Sequence, residues 1–435
     1  MVQPFESGPD DANNPPFHNI GVIYMAGQSI LTFASEAIKL VYGDLHEQLR
    51  DKNPALQLIE ASSANITRNG KEVIFDTHIG RNQGIGARGV REKLPVAGAQ
   101  KYKQAHLYLT NLYGSIEVDG QLFEQAVEDY QAFINVVDNE INGLKKDLAV
   151  DLNRQVYGDG SGKLAVVTAQ PSSTTLTVDS THWLQIGMVF DVVDPTTGVK
   201  QQSGAASSLE IAAINEDTRV ITVSGGALGT FNTAISAGDI LVRSSNGVNN
   251  FGKEWTGLAA IVDDNTELHE IDPAEYPVWK STVQTLGVPG TSTGTLTELA
   301  LINLVQKVDK QGGDVDVMLA SPGVFNAYWD LLQGLRQFTN GATLEGGQRA
   351  FTFDAVGKPI KFVSDYAAPK GTLYALSSKE IVVNRKRDWS WMDRDGSMWS
   401  RVADTDAYEA RYFQYSQLGT YRRNAHAVLS NITEK

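Results

Sequence analysis

Apolar residues recur at steps of three or four through residues 119–162: Phe123, Val127, Tyr130, Ile134, Val137, Ile141, Leu144, Leu148, Leu152 and Val156. That spacing lines them along one stripe of an α-helix. The opposite face carries Glu124, Glu128, Gln131, Asn135, Asp138, Asn142, Lys145 and Asp151, as a solvated face would. Asp119 is placed to cap the start, and Gly158-Asp159-Gly160-Ser161-Gly162 to end it, because glycine takes the left-handed geometry of helix termini. About 38 residues at 1.5 Å each make a rod of roughly 57 Å. Gly143 in mid-helix and the lack of strict heptads predict packing on a sheet rather than a free coiled coil.

Elsewhere the period changes. Residues 1–19 hold Pro4, Pro9, Pro15 and Pro16 among acids and asparagines without periodicity, an arm that orders only against a partner. Leu31, Ala34, Ile38, Val41, Leu45 and Leu49 predict a helix over 29–50, closed by Pro54. Over 65–117, Val73, Phe75 and Thr77 alternate with Ile74, Asp76 and His78, and Leu107, Leu109, Leu112, Ile116 and Val118 follow a glycine-rich stretch. This predicts an extended hairpin that cannot bury its own faces. Residues 164–245 read as short alternating strands, such as Thr175-Leu176-Thr177-Val178, broken by turns such as Asp194-Pro195-Thr196-Thr197-Gly198. They predict a small β-barrel or sandwich inserted into the parent domain. Beyond it the pattern predicts a helix over 296–310 with Leu299, Ile302, Val305 and Val308 on one face, and a strand over 315–320. Ser321-Pro322 then opens a helix to about residue 338. A loop over 339–348, strands over 358–363, 372–376 and 380–384, a hairpin turning at Asp395-Gly396, and a mainly extended 407–429 complete the chain.

A net charge of −14 argues against a nucleic-acid binder, since phosphate contacts need clustered Lys and Arg. With no cysteine, disulfides and thiolate metal sites are excluded. Gly84-Ile85-Gly86-Ala87-Arg88-Gly89 has the glycine spacing of a dinucleotide turn, but Leu94-Pro95 follows where a helix would have to run. The seven histidines are scattered, and Asp393-Arg394-Asp395-Gly396 lacks the remaining ligands of a calcium loop. No catalytic, cofactor or metal site is predicted. Arg81, Arg88, Arg91 and Lys93 on the hairpin tip stand out in an acidic chain and suit docking onto a negative surface, that of an identical neighbour included. Trp389, Trp391 and Trp399, with the β module, leave a multidomain enzyme or glycan-binding protein as the alternative of another class.

Two stretches carry a family resemblance: Asp151-Leu152-Asn153-Arg154-Gln155-Val156-Tyr157-Gly158-Asp159-Gly160-Ser161-Gly162, and Gly357-Lys358-Pro359-Ile360 followed by Asp365, Ala368-Pro369-Lys370-Gly371 and Tyr374-Ala375-Leu376. With the order of elements, they make the chain resemble the tailed-bacteriophage major capsid proteins of the Hong Kong ninety-seven type, a fold shared with encapsulins. The resemblance implies an α+β fold: an N-terminal arm and first helix over 1–64, an extended β-hairpin loop over 65–118, and a peripheral-domain spine helix over 119–163. An inserted β-barrel-like domain over 164–246, a mainly axial domain over 247–400 and a C-terminal strand returning to the peripheral domain over 401–435 complete it. It further implies a non-enzymatic virion subunit, assembled in the host cytoplasm into hexamers and pentamers of an icosahedral lattice. That shell would enclose double-stranded DNA without sequence-specific binding, with no membrane. A separate scaffolding protein, a portal and decoration proteins are the candidate partners, and Arg81, Arg88, Arg91, Lys93, Glu124, Glu128 and Arg336 the expected inter-subunit contacts. An encapsulin-like compartment is the same-fold alternative. The arm starts near Met1, where many relatives have a long cleaved helical segment, and none of Lys71, Lys93, Lys101 or Lys103 aligns with a crosslinking lysine, so crosslinking is not expected.

Overall fold

The computed structural model describes residues 53–62, 66–67, 72–120, 130–172, 174–201, 209–224, 235–245, 247–335, 342–343, 349–355, 357–393 and 397–435. The arm, the helix expected at 29–50, Glu124, Glu128, Arg336, residues 339–341 and 344–348 of the loop expected at 339–348, and the turn residues Asp395 and Gly396 lie outside them.

Helix α1 (Pro54–Ser62) begins with proline at its first position, where the missing N–H costs nothing, and the Asn53 carbonyl accepts from Gln57 N–H at 3.1 Å. Pro54 thus opens a helix where the sequence pattern suggested a stop. After β1 (Ile66–Thr67), strands β2 (Glu72–Gly80) and β3 (Lys101–Tyr108) pair antiparallel from Glu72↔Tyr108 to Gly80↔Lys101. β4 (Thr110–Asp119) departs from this hairpin, and helix α2 (Tyr130–Tyr157) follows. Its 28 residues span about 42 Å and end at the predicted glycine run. Asp119, expected as the helix cap, ends β4, and Gly120 directly after it is already helical. Gly114 in β4 lets α2 approach closely: a Cβ there would lie 2.8 and 2.9 Å from the Leu144 and Leu148 methyls.

Strands β5 (Lys163–Ser172), β6 (Thr175–Val178), β7 (Val189–Val193), β8 (Leu209–Asn215), β9 (Val220–Val223) and β10 (Ile240–Ser245) pair antiparallel in the ring β10-β5-β6-β9-β8-β7, which closes because β7 also pairs with β10. Closure removes the free edges a small sheet would expose. The alternation of Thr175 to Val178 puts Leu176 and Val178 inside, with Phe190, Leu209, Ile211, Ile221 and Leu241 filling the interior. β11 (Val248–Asn249) pairs with the end of β10.

The remaining elements are α3 (Leu258–Ile261), β12 (Thr282–Thr285), α4 (Glu298–Lys310), β13 (Val317–Ala320), α5 (Pro322–Leu335), β14 (Ala342–Thr343), β15 (Arg349–Ala355), β16 (Lys358–Ser364), β17 (Leu373–Leu376), β18 (Ile381–Trp391), β19 (Trp399–Arg401), β20 (Ala407–Thr420) and β21 (Ala427–Ser430). One mixed sheet runs β12-β21-β17-β13-β16-β15-β14. Helices α4 and α5 cover one of its faces through Leu301, Leu304, Val305, Val308, Val324 and Tyr328. The other face, with Val317, Leu319, Val363 and Tyr374, meets the end of α2, α1 and Trp255. Burial on both faces explains the unbroken apolar run of β13. Thr297 caps α4 by accepting from Ala300 N–H, and the helix is rotated from the expected stripe, leaving Leu299 65% exposed.

In the second sheet β20 is central, with β4 along one side and β18 on the other. β19 also pairs with β20, continuing the line of β18 in the same direction. The expected hairpin between them is therefore one interrupted strand. The C-terminal segment likewise divides: β20 joins this sheet, whereas β21 enters the mixed sheet between β12 and β17.

Candidate assembly interface

The hairpin has a buried root and a free tip. At the root Val73, Ala105 and Leu107 are buried, Phe75 meets Tyr421 edge-on at 5.1 Å, and His106 N–H donates to the His269 carbonyl at 3.0 Å. The tip, residues 81–100, carries Arg81, Arg88, Arg91 and Lys93, all exposed. Its internal bonds are short-range: Asn82 Nδ2 donates to the Gly98 carbonyl, Gly89 N–H to Glu92, and Arg88 to the carbonyls of Ala87 and Lys93. None of the four cations pairs with a carboxylate among the described residues. Four basic residues against Glu92 leave the tip at a formal +3. Interleaved with them, Ile85, Val90, Leu94 and Val96 are 81–97% exposed. The charge is legible in the sequence, and so are these apolar side chains, whose exposure only the structure shows. Glu124, Glu128 and Arg336 are not among the described residues.

The two stretches that carried the family resemblance meet in the interior. The fully buried Asp365 carboxylate accepts from Ala55 N–H (3.1 Å), Ala367 N–H (2.9 Å), Tyr157 O–H (3.2 Å) and Asn153 Nδ2 (3.2 Å). Asn153 Oδ1 in turn accepts from Leu56 N–H. One carboxylate thus joins the first turn of α1, the end of α2 and the mixed sheet, with the α1 amides supplying the positive end of a helix dipole. Burial, then the neighbouring Asp365, pushes the Tyr157 hydroxyl well above its usual range.

A second polar cluster ties α2 to the barrel. Arg154 donates to Glu254 at 2.7 Å, Asp151 at 3.1 Å and the Lys163 carbonyl, while Arg243 lies 3.6 Å from Asp151. Burial opposes ionisation of Asp151, but Arg154 and Arg243 outweigh it and hold the carboxyl at about 2. Burial raises Glu254, which is 6% exposed and whose Oε1 accepts no hydrogen bond. The sequence pattern placed Asp151 on a solvated face, and nothing local links Arg154 to a glutamate 100 residues away. This cluster borders a cleft of about 1330 Å³ between the hairpin root, the end of α2, the barrel root and residues 250–268. Two tryptophans of the alternative sugar platform pack on one tyrosine: Trp389 stacks on Tyr412 at 5.1 Å, and Trp391 packs on the same ring. No helix among the described residues is long and apolar enough to cross a membrane.

Residues 238–433 match the family model described as SU10 major capsid protein. Over that stretch, just under half of the chain, the sequence is similar to a major capsid protein family. The fold extends the likeness well beyond the matched segment: the cyanophage A-1(L) capsid asymmetric unit aligns over 90% of this chain and 96% of that chain, at 13% identity and a TM-score of 0.52. Looser matches are the capsid of a native GTA particle (8% identity, 93% and 99% covered, TM-score 0.45) and the holo-SrpI encapsulin complex of Synechococcus elongatus PCC 7942 (10%, 91% and 95%, 0.43). At these identities the likeness is one of fold. No curated protein matches this sequence.

Proposed function

We propose that this chain is a tailed-phage major capsid protein that self-assembles, through hexamers and pentamers, into an icosahedral shell enclosing double-stranded DNA, and that it acts without catalysis. A separate scaffolding protein, a portal and decoration proteins would be its partners, and assembly would take place in the host cytoplasm. The observation that supports this best is the tip, residues 81–100: four cations without a carboxylate partner among the described residues and four exposed apolar side chains stand clear of the body on a two-stranded ribbon. Such a surface is wasteful in a lone molecule and useful when each copy offers it to the next. Modest contacts, each near or below the roughly 1,600 Å² of a typical specific interface, then sum around a closed lattice. Arg81, Arg88, Arg91 and Lys93 are the contact residues this reading assigns, with Glu124, Glu128 and Arg336 as further candidates. The formal charge of −14 would limit adhesion of the enclosed genome to the wall. Electron microscopy of the purified protein, alone and with its scaffolding protein, is the test. Closed particles are expected; a persistent monomer under both conditions refutes the assignment.

A further inference from the structure

We infer that the turn from Leu268 to Ile271 is a strained clasp that fixes the direction of the hairpin, and that the hairpin swings about Leu109 as an intact ribbon when the clasp opens. The clasp belongs to the single chain and does not depend on the shell reading. Leu268 N–H donates to the Ile271 carbonyl at 3.3 Å, and Ile271 N–H to the Leu268 carbonyl at 3.1 Å. His269 and Glu270, the two residues between them, have φ of 55° and 62°. Asparagine and glycine are the usual occupants of such a turn, because in the left-handed region most side chains crowd their own backbone. Residues held this way persist only where their surroundings over-determine them, and such strain gathers at switches. A second sign is independent of the backbone. His269 is 8% exposed, and its Nε2 has no hydrogen-bond partner among the described residues.

What the turn holds is the hairpin root. The His269 carbonyl accepts from His106 N–H at 3.0 Å, and the Glu270 carboxylate from Tyr108 O–H at 2.5 Å. These bonds are directional. The apolar contacts beside them are not: Phe75 lies edge-on to the His269 ring at 6.0 Å and to Tyr421 at 5.1 Å, and Leu107 rests over Gly419, where a Cβ would come within 2.8 Å of it. They form a bearing on which the ribbon can turn. Beyond Tyr108 a single residue, Leu109, separates β3 from β4, and Thr110 is pinned to the Ser416 carbonyl at 2.7 Å. Opening the clasp therefore frees the direction of β2 and β3 without unpairing them.

Single-residue amide hydrogen exchange of the full-length, unassembled chain reads the clasp. Successive N–H groups of a strand point to opposite sides, so those of Ala105 and Leu107 turn to Phe75 and Val73 of β2, whereas that of His106 turns to His269. In the unsubstituted chain His106 N–H should exchange about tenfold faster than both neighbours. Y108F should speed it about fivefold more and leave Ala105 and Leu107 unchanged. E270A and E270G both lose the carboxylate, but only glycine relieves the left-handed strain, so His106 should exchange about tenfold faster in E270A than in E270G. Equal rates for the three amides in the unsubstituted chain, or a common acceleration in Y108F, overturn the clasp, because turn and ladder then open only together. Equal rates in E270A and E270G overturn the strain on which it rests. For the swing, nitroxides are placed at R88C on the tip and K307C on α4, a unique pair because the chain has no cysteine. Their distance distribution should broaden when Y108F is added, and an unchanged width overturns the swing.

Discussion

Removing the Asp365 carboxylate should open the interior at the point where three parts of the chain meet. D365A leaves Ala55 N–H, Ala367 N–H, Tyr157 O–H and the Asn153 amide without their shared acceptor, in a site where Asp365, Ala55 and Asn153 are 0% exposed. Each buried donor stranded in this way costs about 1–3 kcal/mol, partly offset because a buried charge is also removed. A net loss of about 4–6 kcal/mol is expected, a large fraction of the 5–15 kcal/mol typical of a domain. D365N keeps the shape but turns an NH2 group toward donors, and should cost about 2–4 kcal/mol; Y157F, which deletes a single bond, about 1 kcal/mol. Urea unfolding of the unassembled chain, followed by circular dichroism, gives all three values. A D365A midpoint within 1 kcal/mol of the parent, at unchanged slope, would refute the hub.

Two glycines should respond in opposite directions. Among the described residues a Cβ at Gly143 meets nothing within 4 Å, so G143A should stabilise by about 0.5–1 kcal/mol through helix propensity. G114A would drive a methyl into Leu144 and Leu148 and should destabilise by about 1–3 kcal/mol; thermal melts of the pair test this. His426 should make stability fall in acid. Its Nδ1 accepts from Ser377 N–H, its Nε2 bonds to Thr420, and burial, then Arg422, lowers it to about 3 from 6.5. Neither state is charged above pH 6.5, and below it only the unfolded chain takes up the proton. The contribution is therefore intact at neutral pH and is lost progressively between about 6.5 and 3, reaching roughly 4 kcal/mol. Unfolding free energies across that range should show a shallower slope in H426Q, and an identical slope would rule the mechanism out.

Where a segment's period reports one local environment, the sequence was a sound guide: the α2 stripe ending at Leu152 and Val156, or the in-out alternation of Thr175 to Val178. It misled where partners are distant. Nothing in residues 381–401 says that both strands take the same side of β20, nor that β21 leaves that sheet for another. Pro54 looked like a terminator because proline ends helices as readily as it starts them, and only Asn53 before it distinguishes the cases. The surface divided along the same line. The basic tip is contiguous and was visible, whereas the cleft gathers residues from the hairpin, the spine, the barrel and the 250–268 segment, whose proximity no local pattern encodes.

The pairing of β4 with β20 sets a clock on synthesis. Thr110 bonds to the Ser416 carbonyl across 306 residues, so at roughly 5–20 residues per second the ribosome needs about 15–60 s to supply the partner strand. Throughout that interval Leu144 and Leu148 lack the completed sheet on which they finally rest. Each newborn subunit thus passes through a sticky adolescence, and a cell making many at once must shelter them or risk losing them to aggregation before any lattice can form.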